Sequence, residues 1–330
     1  MDDSLSPKAS AFAARLPGRA GWRAALSRYG IVAALLLLCL LLSLASPYFL
    51  SWDNWANILR QTSINGILAV GMTFVILSRG IDLSVGAVLA FAGMVAASLA
   101  IRPEAGVAPA LLAGLGCGLA LGAVNGLLVA RLAVPSFVAT LGMLSAARGL
   151  TYIYSDGMPV SSLPDGFRLI GQGEWAGLPL PVLIFALVAA LAWFTLSHTV
   201  FGRYVYAVGG NEKSARTSGI RTRWITFCVY LIAGGLSGLA GLILTARTTA
   251  ALPQAGVAYE LDAIAAVVIG GASLSGGVGS VLGTVMGALI IGVINNGLDL
   301  MGVSSYYQQL IKGVIIVAAV LLDGSRHRQA

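Results

Sequence analysis

The sequence predicts an all-α, polytopic membrane protein of about ten transmembrane helices, some short or broken, with both termini on the cytoplasmic side. Three observations carry this reading. The chain is 58% hydrophobic and only 10% charged, where a soluble globular chain carries about 25% charged residues. Its apolar residues gather into runs close to the length of about 20 that crosses a bilayer. With the N-terminus inside, fourteen of the twenty Lys and Arg residues fall in cytoplasmic segments, the bias that orients membrane proteins.

The elements follow in order. Residues 1–28 are a polar, basic, cytoplasmic tail, and 29–322 form the membrane domain. The first span, 29–45, is expected to be uncleaved, because many further spans follow it. Residues 46–61, with Tyr48, Trp52 and Trp55, read as a loop with interfacial aromatics. Spans follow at 62–77, 83–101, 107–130 and 136–154, then a long loop at 156–177 and a span at 178–197. The segment 198–223 holds Arg203, Lys213, Arg216, Arg221 and Arg223 and reads as a basic cytoplasmic loop; span 224–245 comes next. The run 261–274 is short for a full crossing. Spans 281–298 and 306–322 and a polar cytoplasmic tail, 323–330, complete the chain.

This placement of charge accounts for the net charge of +7 without a nucleic-acid partner. Cys39, Cys117 and Cys228 lie within apolar runs and have no metal-ligand spacing. There is no GxxxxGK[ST] phosphate loop, and no HExxH or GxSxG motif. The chain therefore reads as neither an ATPase of that type nor an enzyme, with no metal and no cofactor of its own.

Small residues four apart let helices approach closely in lipid. Gly114, Gly118, Gly122 and Gly126 form one such row, and Gly279, Gly283 and Gly287 another. Both are read as helix packing, with a subunit interface or a sliding surface beside a pore as the sharper alternative. SRGIDLSVG (78–86) and IGGASLSGGVGSVLG (269–283) each break a helical pattern with glycine and serine. Broken helices at membrane depth persist where they line a cavity or are buried in protein. Ser78, Asp82, Ser84, Ser273 and Ser275 are accordingly candidates for a translocation path, with a pair of ordinary cytoplasmic turns as the alternative; the in-span polar residues Asn295, Asn296 and Lys312 are further candidates. For Asp82 a local ion pair with Arg79 is the expected role, and Lys312 is placed to snorkel.

Within 198–223, Asn211 is a good N-cap, Glu212 suits the positive helix N-terminus, and Gly219 suits the C′ position. Glu212 and Arg216 are spaced to pair, and Ala215 and Gly219 form a small, flat strip. A helix of two turns is not stable alone and needs a surface to dock on; the alternative is a solvated basic loop that simply follows the cytoplasmic charge bias.

Four blocks carry a resemblance: VGMTFVILSRGIDLSVGAVLA (70–90), PSFVATLGMLSAARGL (135–150), AVGGNEKSARTSGI (207–220) and ELDAIAAVVIGGASLSGGVGSVLGTVMGALIIGVINNGL (260–298). They resemble the permease of ribose-type sugar ABC importers, in the broader group that includes the branched-chain amino acid permeases. The similarity covers about residues 30–322. The resemblance implies a ten-span subunit of the bacterial inner membrane, two copies of which form the path. It further implies a cytoplasmic ATPase that binds the ATP and magnesium, a periplasmic binding protein, and a ribose-like pentose or related monosaccharide as cargo. Importers dock an "EAA…G" loop on the ATPase. Glu212, Ala215 and Gly219 stand in a similar place, with Asn211 and Arg216 beside them, although no alanine adjoins the glutamate here. The alternative from another class is a self-sufficient secondary transporter or channel for a small polar solute. The absence of a buried relay of Asp, Glu or His counts against it.

Overall fold

The computed structural model describes the backbone of residues 19–29 and all of residues 30–304, 306–315 and 317. The tail at 323–330 and the end of the span predicted at 306–322 lie outside the described residues, as does the first part of the tail at 1–28. The helices are α1 (Arg19–Ala45), α2 (Trp52–Leu77), α3 (Val85–Ala100), α4 (Val107–Ala130) and α5 (Ser136–Ser155). After α6 (Asp165–Gln172), two short strands, β1 (Glu174–Trp175) and β2 (Leu178–Pro179), pair antiparallel. Then come α7 (Leu180–His198), α8 (Val200–Gly210), α9 (Glu212–Thr217), α10 (Thr222–Thr248), α11 (Tyr259–Ile269) and α12 (Val281–Leu300). A final helix, α13, runs over 306–315.

Local chemistry sets most of these boundaries. The side chains of Ser51, Thr199, Asn211 and Ser280 each accept a backbone N–H in the first turn of the helix they precede, which satisfies a donor that the helix cannot. The Ser51 cap, with Asp53 in the first turn, starts α2 ten residues before the predicted span. Residues 46–61 are thus mostly helix rather than loop, and α1 likewise reaches back to Arg19. The loop at 156–177 carries α6 and β1, so the fold departs from all-α by one small ribbon.

Among the described residues, four helices, α4, α7, α10 and α12, are long and apolar enough to cross a membrane; α3 and Gly30–Ala45 of α1 are shorter apolar helices. The eleven residues of α11 rise only about 16 Å, about half of a hydrocarbon core. Two helices form the centre. From Thr62 to Leu77 every residue of α2 is buried, and it is enclosed by α7, α10, α11 and α12. The other, α10, packs on α4, α3 and α2. Leu36, Leu37, Leu40 and Leu44 of α1, and Leu187, Leu191 and Phe194 of α7, project outward. Such a continuous exposed apolar belt suits lipid rather than water.

The tightest seam is that between α4 and α10. A Cβ built on Gly118 would lie 2.5 Å from the carbonyl oxygen of Gly234, and one on Gly234 would lie 2.6 Å from Cα of Gly122. Gly114 meets Leu242 and Ala96, and Gly126 meets Phe227. All four glycines of the α4 row therefore pack inside one chain. The second row is shorter than the sequence suggested. Gly283 and Gly287 of α12 face Gly270 and Ala266 at the end of α11. Gly279 precedes α12, has φ +150°, and packs on Ala272 instead.

Candidate translocation and coupling site

The two helix breaks are built alike and touch. At the end of α2, Arg79 takes φ +66° while Gly80 N–H donates to Val75 O and Arg79 N–H to Ile76 O. At the end of α11, Gly271 takes φ +87° while Ala272 N–H donates to Val267 O and Gly271 N–H to Val268 O. Both are Schellman turns, which satisfy the last helical carbonyls and reverse the chain. Gly277 N–H in the second break donates to Leu77 O beside the first, at 2.9 Å. Gly209 of α8 lies against that same oxygen with no room for a Cβ, and Tyr206 Oη donates to Gly279 O at 2.9 Å. The amphipathic helix α8, which sequence reasoning left as loop, thus clamps both breaks.

Asp82 does not pair with Arg79. The left-handed turn at Arg79 leaves that side chain exposed, whereas Asp82 is buried. Its Oδ1 accepts from Ser84 N–H at 2.9 Å and Ser84 Oγ at 2.6 Å, and Ser84 Oγ accepts from Asn125 Nδ2 at 2.9 Å. This chain fastens the start of α3 to α4. Ser78 lines a cavity of about 580 Å³ that Tyr230, Arg223 and Glu212 also border. Ser273 is buried and its Oγ accepts from Ser275 N–H, while Ser275 is exposed. In a cysteine scan of the two breaks, we expect water-soluble maleimide to label positions 78 and 275 and to spare 84 and 273. Labelling that responds to ATP or substrate in the assembled transporter marks the path; uniform inaccessibility excludes it.

The remaining in-span candidates separate. Asn296 exchanges amide hydrogen bonds with Asn54 at 2.7 and 3.0 Å, tying α12 to the first turn of α2. Lys312 of α13 does not snorkel: its Nζ meets Asp262 Oδ2 of α11 at 2.9 Å. The same oxygen accepts from Asn65 Nδ2 at 3.4 Å, and Asn295 approaches the same carboxyl group. Asn65 Oδ1 and Asn295 Oδ1 are buried here with no hydrogen-bond partner among the described residues. Four helices therefore meet at one polar node inside an apolar core. Asp262 carries no signal of this in the sequence, where an acidic residue beginning a short helix reads as ordinary complementing of the helix dipole. Arg148 of α5 had no assigned role; its guanidinium donates to Pro253 O and Ala255 O, holding the connection between α10 and α11.

The basic segment 198–223 contains α9. Asn211 Oδ1 accepts from Ser214 N–H at 3.0 Å, and Glu212 pairs with Arg216 at 2.7 Å and accepts from Thr222 Oγ1. Gly219 takes φ +86°, and the Ile220 N–H to Ala215 O bond closes another Schellman turn. Ala215 is 5% exposed and belongs to the main core. It anchors α9 rather than offering a docking strip, because the alanine side of so short a helix is the side that packs inward. The exposed face of α9 is charged, carrying Glu212, Lys213 and Arg216.

Helices of membrane-crossing length, exposed apolar faces and helix breaks held by glycine fit a multi-pass membrane protein. Residues 54–320 match the family described as branched-chain amino acid transport system / permease component. The chain is 50% identical over 297 residues to the ribose import permease protein RbsC of Escherichia coli (strain K12), covering 89% of this chain and 92% of that one. It is 48% identical over 302 residues to RbsC of Bacillus subtilis (strain 168), covering 90% and 93%. Against the D-allose transport system permease protein AlsC of E. coli (strain K12), identity is 43% over 284 residues, covering 85% and 86%. No solved structure matches. The chain belongs to the branched-chain amino acid transport system / permease component family.

Proposed function

We propose that this chain is the transmembrane permease subunit of an ATP-driven importer for a ribose-like pentose or related monosaccharide. It crosses the bacterial inner membrane about ten times with both termini inside, and two copies enclose the path. A cytoplasmic ATPase that binds ATP and magnesium docks on the segment 198–223, and a periplasmic binding protein delivers the sugar. The observation that carries this reading is the 50% identity to a ribose import permease across 89% of the chain. The capped, charged helix α9, seated on its own core through Ala215, supports the docking assignment.

The test is reconstitution in vesicles with the ATPase and the binding protein. Uptake of labelled ribose is expected only with all three components and ATP; steady uptake by this polypeptide alone refutes the reading. In the same system, Gly219→Pro or Glu212→Arg is expected to leave ATP hydrolysis running while transport per ATP falls. Proline is a poor fit for φ +86°, and arginine at 212 opposes Arg216 where Glu212 now binds it. If both variants transport at the normal rate per ATP, α9 is not the contact.

A further inference from the structure

The glycine-packed pair α4–α10 ends, beside α9, in a cluster of arginines. Arg131 follows the last turn of α4, while Arg221 and Arg223 open α10. With Leu127, Trp224 and Phe227 they line a cavity of about 330 Å³. A neighbouring cavity of about 400 Å³ shares Arg221 and Arg223 and extends to Arg216.

Two features set this cavity apart from an ordinary basic loop. The first is uncompensated charge. Among the described residues, Arg131, Arg221 and Arg223 make no ion pair. The nearest carboxylate in sequence, Glu212, is already held by Arg216 and Thr222. No side chain caps the N-terminus of α10, so its partial positive charge adds to theirs. The second is the apolar back wall. Trp224 and Phe227 stack with ring centroids 5.5 Å apart and planes 23° apart. Leu127, Leu132 and Trp224 are all exposed, as are Val124 on α4 and Phe137 and Leu141 on α5.

A rim of three free guanidinium groups in front of an aromatic and aliphatic wall matches an amphiphile with an anionic head. Guanidinium engages phosphate through two parallel hydrogen bonds, and aromatic side chains favour the level of the headgroups. Free phosphate has nothing to place against Trp224 and Phe227. An acidic protein surface would leave the same wall facing lipid. We propose that Arg131, Arg221 and Arg223 form a binding site for the phosphate of one anionic phospholipid, whose acyl chains lie along Leu127, Trp224 and Phe227. The site rests on the reading of 198–223 as the membrane's inner boundary. It flanks the turn that joins α9 to α10, so an occupied site stiffens the joint through which α9 would move its span.

The test uses the purified full-length chain and needs no transport. By native mass spectrometry, phosphatidylglycerol is expected to remain bound one-to-one under conditions that strip phosphatidylcholine. Neutralising all three arginines (Arg131→Gln with Arg221→Gln and Arg223→Gln) is expected to weaken that binding about a hundredfold, and each single change about fivefold. Brominated phosphatidylglycerol is expected to quench tryptophan emission in the parent chain and much less after Trp224→Phe. Millimolar inorganic phosphate is expected not to displace the lipid. The three side chains are exposed, so the triple variant is expected to keep the parent melting temperature; if it does not fold, the single variants decide. Equal retention of the two lipids overturns the proposal, as does a triple variant that keeps its preference. Displacement by phosphate assigns the site to a free anion instead. Loss of ATPase affinity with lipid preference unchanged makes the patch a protein contact, and the lipid assignment is then wrong.

Discussion

Leucine in place of Gly118 is expected to prevent α4 and α10 from associating and so to abolish recovery of folded protein. A single Cβ there already falls 2.5 Å from Gly234 O and 2.8 Å from Gly238 Cα. Both are backbone atoms, and no rotamer change relieves the clash. Overpacking that forces small side-chain and backbone shifts costs about 1–3 kcal/mol; a leucine here drives the helices apart, and in lipid their association rests on that close packing. Gly118→Ala is expected to fall within that range and leucine beyond it. Gly116→Leu is the control: it lies on the same helix, and its Cβ would meet nothing within 4 Å. The measurement is the monodisperse yield in mild detergent, followed by the denaturant midpoint. Equal behaviour of the leucine variants at 116 and 118 would show that this seam does not hold the fold.

Replacing Lys312 by methionine is expected to cost about 3–5 kcal/mol, because it strands a buried carboxylate without its cation. Asp262 is 2% exposed, and its remaining neighbours, Asn65 and Asn295, are neutral amides. Asp262→Asn on its own leaves a half-buried ammonium group without its carboxylate and is also expected to destabilise. The double variant, Asp262→Asn with Lys312→Met, is expected to recover most of the loss. A double-mutant cycle on the denaturation midpoint reads the coupling. If the Lys312 variant is as stable as the parent, or if the two single losses simply add, the pair does not link α11 to α13.

What the sequence disclosed was what local chemistry determines. Asn211, Glu212 and Gly219 stand close in the chain, so a cap, a dipole partner and a left-handed stop could be recognised without knowing the fold. The α4 glycine row was equally plain, since a period of four is a property of one helix. Its partner residues, Gly234 and Gly238, also stand four apart, but nothing in one chain of letters joins them to the α4 row. The misreadings have the same origin. Arg79 and Asp82 are close in sequence, yet the backbone reversal at Arg79 sends their side chains apart, and Ser84 claims the carboxylate. Asp262 finds its cation fifty residues away, a distance no local pattern spans. The interfacial aromatics Tyr48, Trp52 and Trp55 make the first turns of α2 read as loop; in the fold the Ser51 cap starts the helix, and Arg60 pairs with Glu174 of β1.

The bond from Gly277 to the Leu77 carbonyl, with Gly209 wedged against that oxygen and Tyr206 holding Gly279, has a mechanical outcome. The two reversals are not separate gates. They are yoked to one crossbar, α8, which the chain joins directly to α9. If the segment 198–223 is where the ATPase docks, as proposed, a displacement of α8 is expected to carry both breaks together rather than one at a time.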